Sequence, residues 1–143
     1  PLRLAQTSMN RAVFADTAYF IALVDADDDA YPRAVQFAKG QRQPIVTTQW
    51  VLTEVANSFS TQVDRPLFLF ILNTLLHDPT ANIVSANHAL FDAGVRLFSE
   101  RPDKEWSLTD CISMHVMQDR NITDALTTDH HFTQAGFNIL LKV

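Results

Sequence analysis

Four short apolar runs, "AVFA" (12–15), "PIVTT" (44–48), "ANIVSA" (81–86) and "DALTT" (124–128), recur along the chain with helix-spaced segments between them. A fifth run, "FNILLKV" (137–143), closes it. This alternation constrains the fold more than any other feature of the sequence. Strands joined by helical crossovers pair in parallel and need cover on both faces. The expectation is therefore an α/β fold: a three-layer α/β/α sandwich around a mainly parallel central sheet of about five strands. A chain of 143 residues, 47% of them hydrophobic, can bury one core of ordinary size. We expect a single domain over residues 9–143. Residues 1–8, "PLRLAQTS", precede Met9 and read as an expression remnant or an upstream extension.

Several function classes drop out early. No apolar run reaches the roughly 18 residues of a membrane span. The longest, "PLFLFILNTLL" (66–76), stops at His77-Asp78-Pro79 and reads as a core helix or as a contact with a second copy or a partner. The single cysteine, Cys111, excludes an internal disulfide framework and suits a reducing cytoplasm. A net charge of −5 argues against broad nonspecific binding to nucleic acid, which needs Lys and Arg against phosphate, although it leaves nucleic acid open as a substrate. The basic residues are dispersed; Arg33, Lys39 and Arg42 alone share one helix and its end. No G-x-G-x-x-G follows a strand, so dinucleotide binding has no support. An aspartate-nucleophile phosphatase would want a second acid two residues after Asp16, and Ala18 stands there.

The stretch "VFADTAYF" (13–20) ends a core-like strand on a carboxylate, Asp16, which is costly unless something pairs with it. In open parallel sheets, ligands gather beyond the carboxyl ends of the strands, and that rule sorts the acids. Asp25, Asp27, Asp28 and Asp29 lie before and within the first turn of a helix expected to begin there. Asp124 and Asp129 flank one strand; Asp129 lies at its carboxyl end, beside the end of the first strand. Glu54, in the helix after the second strand, reads alone equally as an exposed helix glutamate. Asp110 stands three residues after Ser107, so a capping box would also explain it. Together, Asp16, Glu54, Asp110 and Asp129 would converge at one sheet edge and repel one another unless a cation intervened. Oxygen donors alone suit Mg²⁺ or Mn²⁺ better than Zn²⁺. The tandem His130-His131 reads as surface or phosphate-neighbouring, its two rings pointing different ways.

In order and spacing, "VFADTAYFIALVDADD", "TTQWVLTEVANSF", "SLTDCISMHVM" and "ALTTDHHFTQAGF" resemble the four acidic motifs of PIN-domain ribonucleases, above all the VapC-type toxins of toxin–antitoxin pairs. The resemblance runs from about Val13 to the C-terminus. It implies that Asp16, Glu54, Asp110 and Asp129 form an acidic quartet that binds metal and catalyses. It further implies supporting hydroxyls at Thr17 and Thr127, and Phe132 as the core anchor of a T-x-D-x-x-F motif. The implied activity is metal-dependent endoribonucleolysis leaving 5′-phosphate and 3′-hydroxyl ends, by a chain that dimerises and is blocked by a protein antitoxin. The rival expectation is a PIN fold without catalysis, serving as a metal- or partner-binding module.

Overall fold

The computed structural model describes residues 11–40 and 43–142. The expectation for residues 1–8, and Arg42 of the basic trio, lie outside the described residues. Five strands, β1 (Val13–Ala15), β2 (Ile45–Thr48), β3 (Asn82–Val84), β4 (Asp124–Leu126) and β5 (Asn138–Ile139), form one sheet in the order β3-β2-β1-β4-β5. Every pairing is parallel, with Phe14 of β1 opposite Val46 of β2 on one side and Ala125 of β4 on the other. Consecutive residues of β1 are buried, as are those of β2, so both faces of the sheet are covered.

Seven helices are described: α1 (Thr17–Val24), α2 (Tyr31–Gly40), α3 (Gln49–Ser58), α4 (Arg65–His77), α5 (His88–Glu100), α6 (Leu108–Asp119) and α7 (His130–Gln134). Polar residues at the strand ends start several of them. Thr48, the last residue of β2, caps α3 by accepting from Val51 N at 3.1 Å. Asn87 caps α5 through Leu90 N at 2.8 Å, and Ser107 with Asp110 closes a reciprocal capping box at α6. The chain thus turns from strand to helix with almost no loop at β1 and β2, which fixes where the first helical residues point.

Two expectations shift in detail. The helix expected to open at the acids 25–29 begins later, at Tyr31, because Asp25 and Asp28 fold back on their own backbone, accepting from Asp27 N at 3.0 Å and Ala30 N at 2.8 Å. The closing strand is short by strict pairing, yet Leu140 N and Leu141 N still reach Ala125 O and Thr127 O at 2.9 and 3.2 Å. The segment 66–76 divides its roles: Ile71 and Leu75 are buried, whereas Leu69, Phe70 and Leu76 stay 59%, 66% and 66% exposed.

Helices α5 and α6 pack at Gly94, where a Cβ would collide with Cγ1 of Ile112. Gly94→Ala should therefore destabilise the fold by roughly 1–3 kcal/mol through overpacking, less the helix-propensity gain of up to ~1 kcal/mol. Thermal melting checks it; an unchanged midpoint would mean the two helices can part without cost.

Candidate functional site

The strand order reverses between β1 and β4: the chain runs outward from β1 through β2 to β3, then returns to the far side of β1. Asp16 follows β1 and Thr127 follows β4, so both stand at the carboxyl edge of this switch point. They are joined. Thr127 Oγ1 donates to Asp16 Oδ2 at 2.9 Å, and Asp16 N donates to Leu126 O at 3.2 Å. Asp16 is the N-terminal cap residue of α1 without a side-chain capping bond, and it is only 6% exposed. Burial pushes its pKa from the usual 3.8 up to about 7, opposed by the Thr127 hydrogen bond and the Thr17 N–H, and increased by the nearby charges of Asp110 and Glu54.

The other three acids arrive from separate elements. Glu54 is exposed on α3, and its Oε1 accepts from Thr17 Oγ1 at 2.7 Å, tying the start of α1 to α3. Asp110, half-buried, sits at the third position of α6, with Oδ2 accepting from Ser107 N at 3.1 Å. Burial raises its pKa, the Ser107 N–H opposes this, and Asp129 adds to the rise. Asp129 caps α7, its Oδ1 accepting from His131 N at 2.9 Å and its own N donating to Thr127 Oγ1 at 3.1 Å. The hydroxyl of Thr127 therefore links Asp16 and Asp129 directly.

The fold gathers all four acids and both threonines singled out from sequence around one edge. Asp124 instead stands at the opposite end of β4, where its Oδ1 accepts from Asn138 Nδ2 at 3.3 Å. Phe132 is fully buried and anchors α7. The histidines depart from expectation. His130 is exposed, but His131 is largely enclosed, with Nδ1 3.4 Å from Asp110 Oδ2 and 3.3 Å from Asp129 Oδ1. Both rings lean toward the same carboxylate, with centroids 4.6 Å apart. A histidine two residues after a helix-capping aspartate and one before a buried anchor was the only hint in the sequence. The direct Thr17–Glu54 bond left no trace there at all, since it joins residues 37 apart.

Three observations bear on a cation. Among the described residues no Lys or Arg forms an ion pair with any of the four acids, so Asp16 lacks a basic partner. The side-chain hydrogen bonds and ion pairs just described fall on one oxygen of each carboxylate: Oδ2 of Asp16 and Asp110, Oδ1 of Asp129, Oε1 of Glu54. The four acids offer oxygen donors, which suit a hard divalent ion, and the imidazoles of His130 and His131 beside Asp129 add nitrogens. Among the described residues the group of three with donor atoms within 4.8 Å of one another is Asp129, His130 and His131. The four carboxylates form no such close group among themselves. An ion that keeps several waters, as Mg²⁺ does, takes few protein ligands directly and does not need all four acids at once.

Because Asp16 holds a proton more tightly when folded than when unfolded, its contribution favours folding below pH ~4 and is lost as pH rises toward 7. At about 1.4 kcal/mol per pKa unit, the cost at pH 8 is a few kcal/mol. In EDTA, Asp16→Asn should melt higher than the unaltered protein at pH 8, with the difference closing near pH 4. Equal melting temperatures at pH 8 would show that Asp16 carries no such burden.

The PIN domain family profile matches residues 13–138. Among solved structures, the chain superposes on VapC20 of Mycobacterium tuberculosis, described as a toxin cleaving the sarcin-ricin loop, with a TM-score of 0.78 at 21% identity, covering 87% of this chain and 95% of that one. It also superposes on VapBC2 of Rickettsia felis, bound to a DNA fragment from its promoter (TM-score 0.63, 14% identity, 90% and 96% covered). A third match is FitAcB of Neisseria gonorrhoeae (0.64, 12%, 90% and 96%). No curated protein matches the chain in sequence. The family match spans nearly the whole chain, and the superpositions share its fold: the chain belongs to the PIN domain family.

Proposed function

We propose that this protein is a divalent-metal-dependent endoribonuclease, the toxin of a toxin–antitoxin pair, with Asp16, Glu54, Asp110 and Asp129 as its catalytic and metal-binding acids. The observation that carries the reading is the buried Asp16 at the switch point, with three further acids around it and no Lys or Arg among the described residues paired with any of them. Membership of the PIN family supports nuclease chemistry. The likeness to VapC20, VapBC2 and FitAcB supports the toxin role and a protein antitoxin as partner.

Mg²⁺ or Mn²⁺ bound there would supply Lewis-acid activation of water and charge stabilisation at the phosphodiester. The chain's own residues prepare that opening. Thr127 holds the Asp16 carboxylate and the Asp129 backbone, Thr17 holds Glu54, and the capping box holds Asp110. Each acid enters with one oxygen already tethered, so little side-chain freedom is left to lose on binding. An unpaired RNA segment would approach from the side of Glu54, the exposed acid, and recognition of a folded RNA by shape needs few basic residues.

Partner surfaces fit the same reading. A groove of about 750 Å³, lined by Trp50, Leu52, Ala56, Phe68, Leu72 and Ile83, runs along α3, the helix that carries Glu54. An antitoxin segment seated there would pack on the helix that carries Glu54. The exposed Leu69, Phe70 and Leu76 of α4 offer a surface for a homodimer. No helix among the described residues is long and apolar enough to cross a membrane.

The test is cleavage of total cellular RNA with Mg²⁺, Mn²⁺ or EDTA, comparing the unaltered protein with Asp16→Asn and Asp129→Asn. Cleavage should need the cation and fall by about 100-fold or more in both variants. Loss in Asp16→Asn alone would remove Asp129 from the site. Metal-independent cleavage, or none with any RNA, would overturn the reading and favour a partner-binding module.

A further inference from the structure

We propose that His131 is a positioning residue that sets the separation of Asp110 and Asp129 and thereby the cation affinity of the site. The inference rests on the metal-binding reading above and adds to it a residue that acts by holding two of the acids at a set separation. Its ring nitrogen Nδ1 lies between two carboxylates carried by different helices, 3.4 Å from Asp110 Oδ2 and 3.3 Å from Asp129 Oδ1. That atom is sealed from solvent and makes a well-formed hydrogen bond to neither oxygen alone. A lone pair placed between two carboxylates would be repelled by both, so the tautomer with its hydrogen on Nδ1 is the one that suits this position.

Each carboxylate is anchored on its own side. Asp110 is fixed by the Ser107 capping box, with Ser107 N at 3.1 Å from its Oδ2. Asp129 is fixed by the N–H of His131 at 2.9 Å and by the hydroxyl of Thr127, which accepts from its backbone N at 3.1 Å. Among the described residues no other side chain bridges the two acids. The imidazole is therefore the tie across the gap between the start of α6 and the start of α7, and it opposes the repulsion of two like charges. It engages Asp110 Oδ2 and Asp129 Oδ1, the same oxygens that the capping box and the His131 N–H already hold. His130, exposed and 3.8 Å from Asp129 Oδ1, makes no contact with Asp110 and cannot do the same.

His131→Asn, His131→Gln and His131→Ala separate this role from simple packing. The amide nitrogen of Asn occupies nearly the place of Nδ1, that of Gln lies one bond further out, and Ala has no donor. Calorimetric titration of the metal-free protein with Mn²⁺ reads the cation affinity without any RNA. We expect Ala and Gln to weaken Mn²⁺ binding about 10-fold or more, as loss of an outer partner to a ligand does, and Asn to stay within about 3-fold of the unaltered protein. The Mg²⁺ concentration for half-maximal cleavage should rise in step, with the rate at saturating Mg²⁺ changed far less. Circular dichroism confirms folding of each variant, and Gln stands in should Ala not fold. Unchanged Mn²⁺ affinity in both Ala and Gln, or Asn as weak as Ala, would overturn the role of His131 while the metal site stands. No Mn²⁺ binding by the unaltered protein would overturn the metal reading itself, and this inference with it.

Discussion

The structure turns on the burial of one carboxylate. Asp16 closes the middle strand of the sheet at the point where strand order reverses, and its surroundings exclude water from it. Removing a charge from water is expensive, and a hydrogen bond from Thr127 recovers only part of the cost, which is why its pKa stands near 7. Central burial also fixes its position. β1 is paired on both sides, α1 begins at the next residue, and Asp16 N is bonded to β4, so its backbone is held in place while Thr127 holds the carboxylate. The arrangement that makes the position costly also makes it rigid.

Around that fixed point the acids are held by a shared device. Hydroxyls and capping N–H groups, not lysines or arginines, hold them: Thr127 for Asp16, Thr17 for Glu54, Ser107 for Asp110, and the start of α7 for Asp129. Neutral donors orient a carboxylate without cancelling its charge. A salt bridge would have stabilised each acid more and left less negative potential to attract a cation. If the acids bind a cation as proposed, the arrangement gives up some stability of the free protein for preorganisation, a trade expected where function and folding compete for the same groups.

Much of this was legible from the residues. The alternation of apolar runs and helix-spaced segments gave five strands and the parallel sheet, because burial on both faces demands unbroken apolar strands. The rule of carboxyl edges separated Asp129 from Asp124 correctly, since that choice depends only on which end of β4 each occupies. The Ser107–Asp110 spacing announced its capping box for the same local reason. Read as surface or phosphate-neighbouring, with rings pointing different ways, His130 and His131 gave no sign in the sequence of the contacts made by His131. Its partners are Asp129, two positions earlier, and Asp110, twenty-one positions earlier, and only the packing of α7 against α6 brings the second within reach. The acids at 25–29 were placed in a helix that starts later, because Asx turns compete with helix initiation over the same residues.

By itself, then, the sequence determined the elements, their parallel pairing and the set of acids at one edge, since these follow from period, punctuation and position along a strand. Tertiary structure alone decided which groups touch. It placed Thr17 against Glu54, Thr127 between Asp16 and Asp129, and the imidazole of His131 between Asp110 and Asp129. The physical reason is range. Periodicity and capping act within a few residues of the chain, whereas the spacing of charges across a sheet edge is set by how strands and helices from distant parts of the sequence pack.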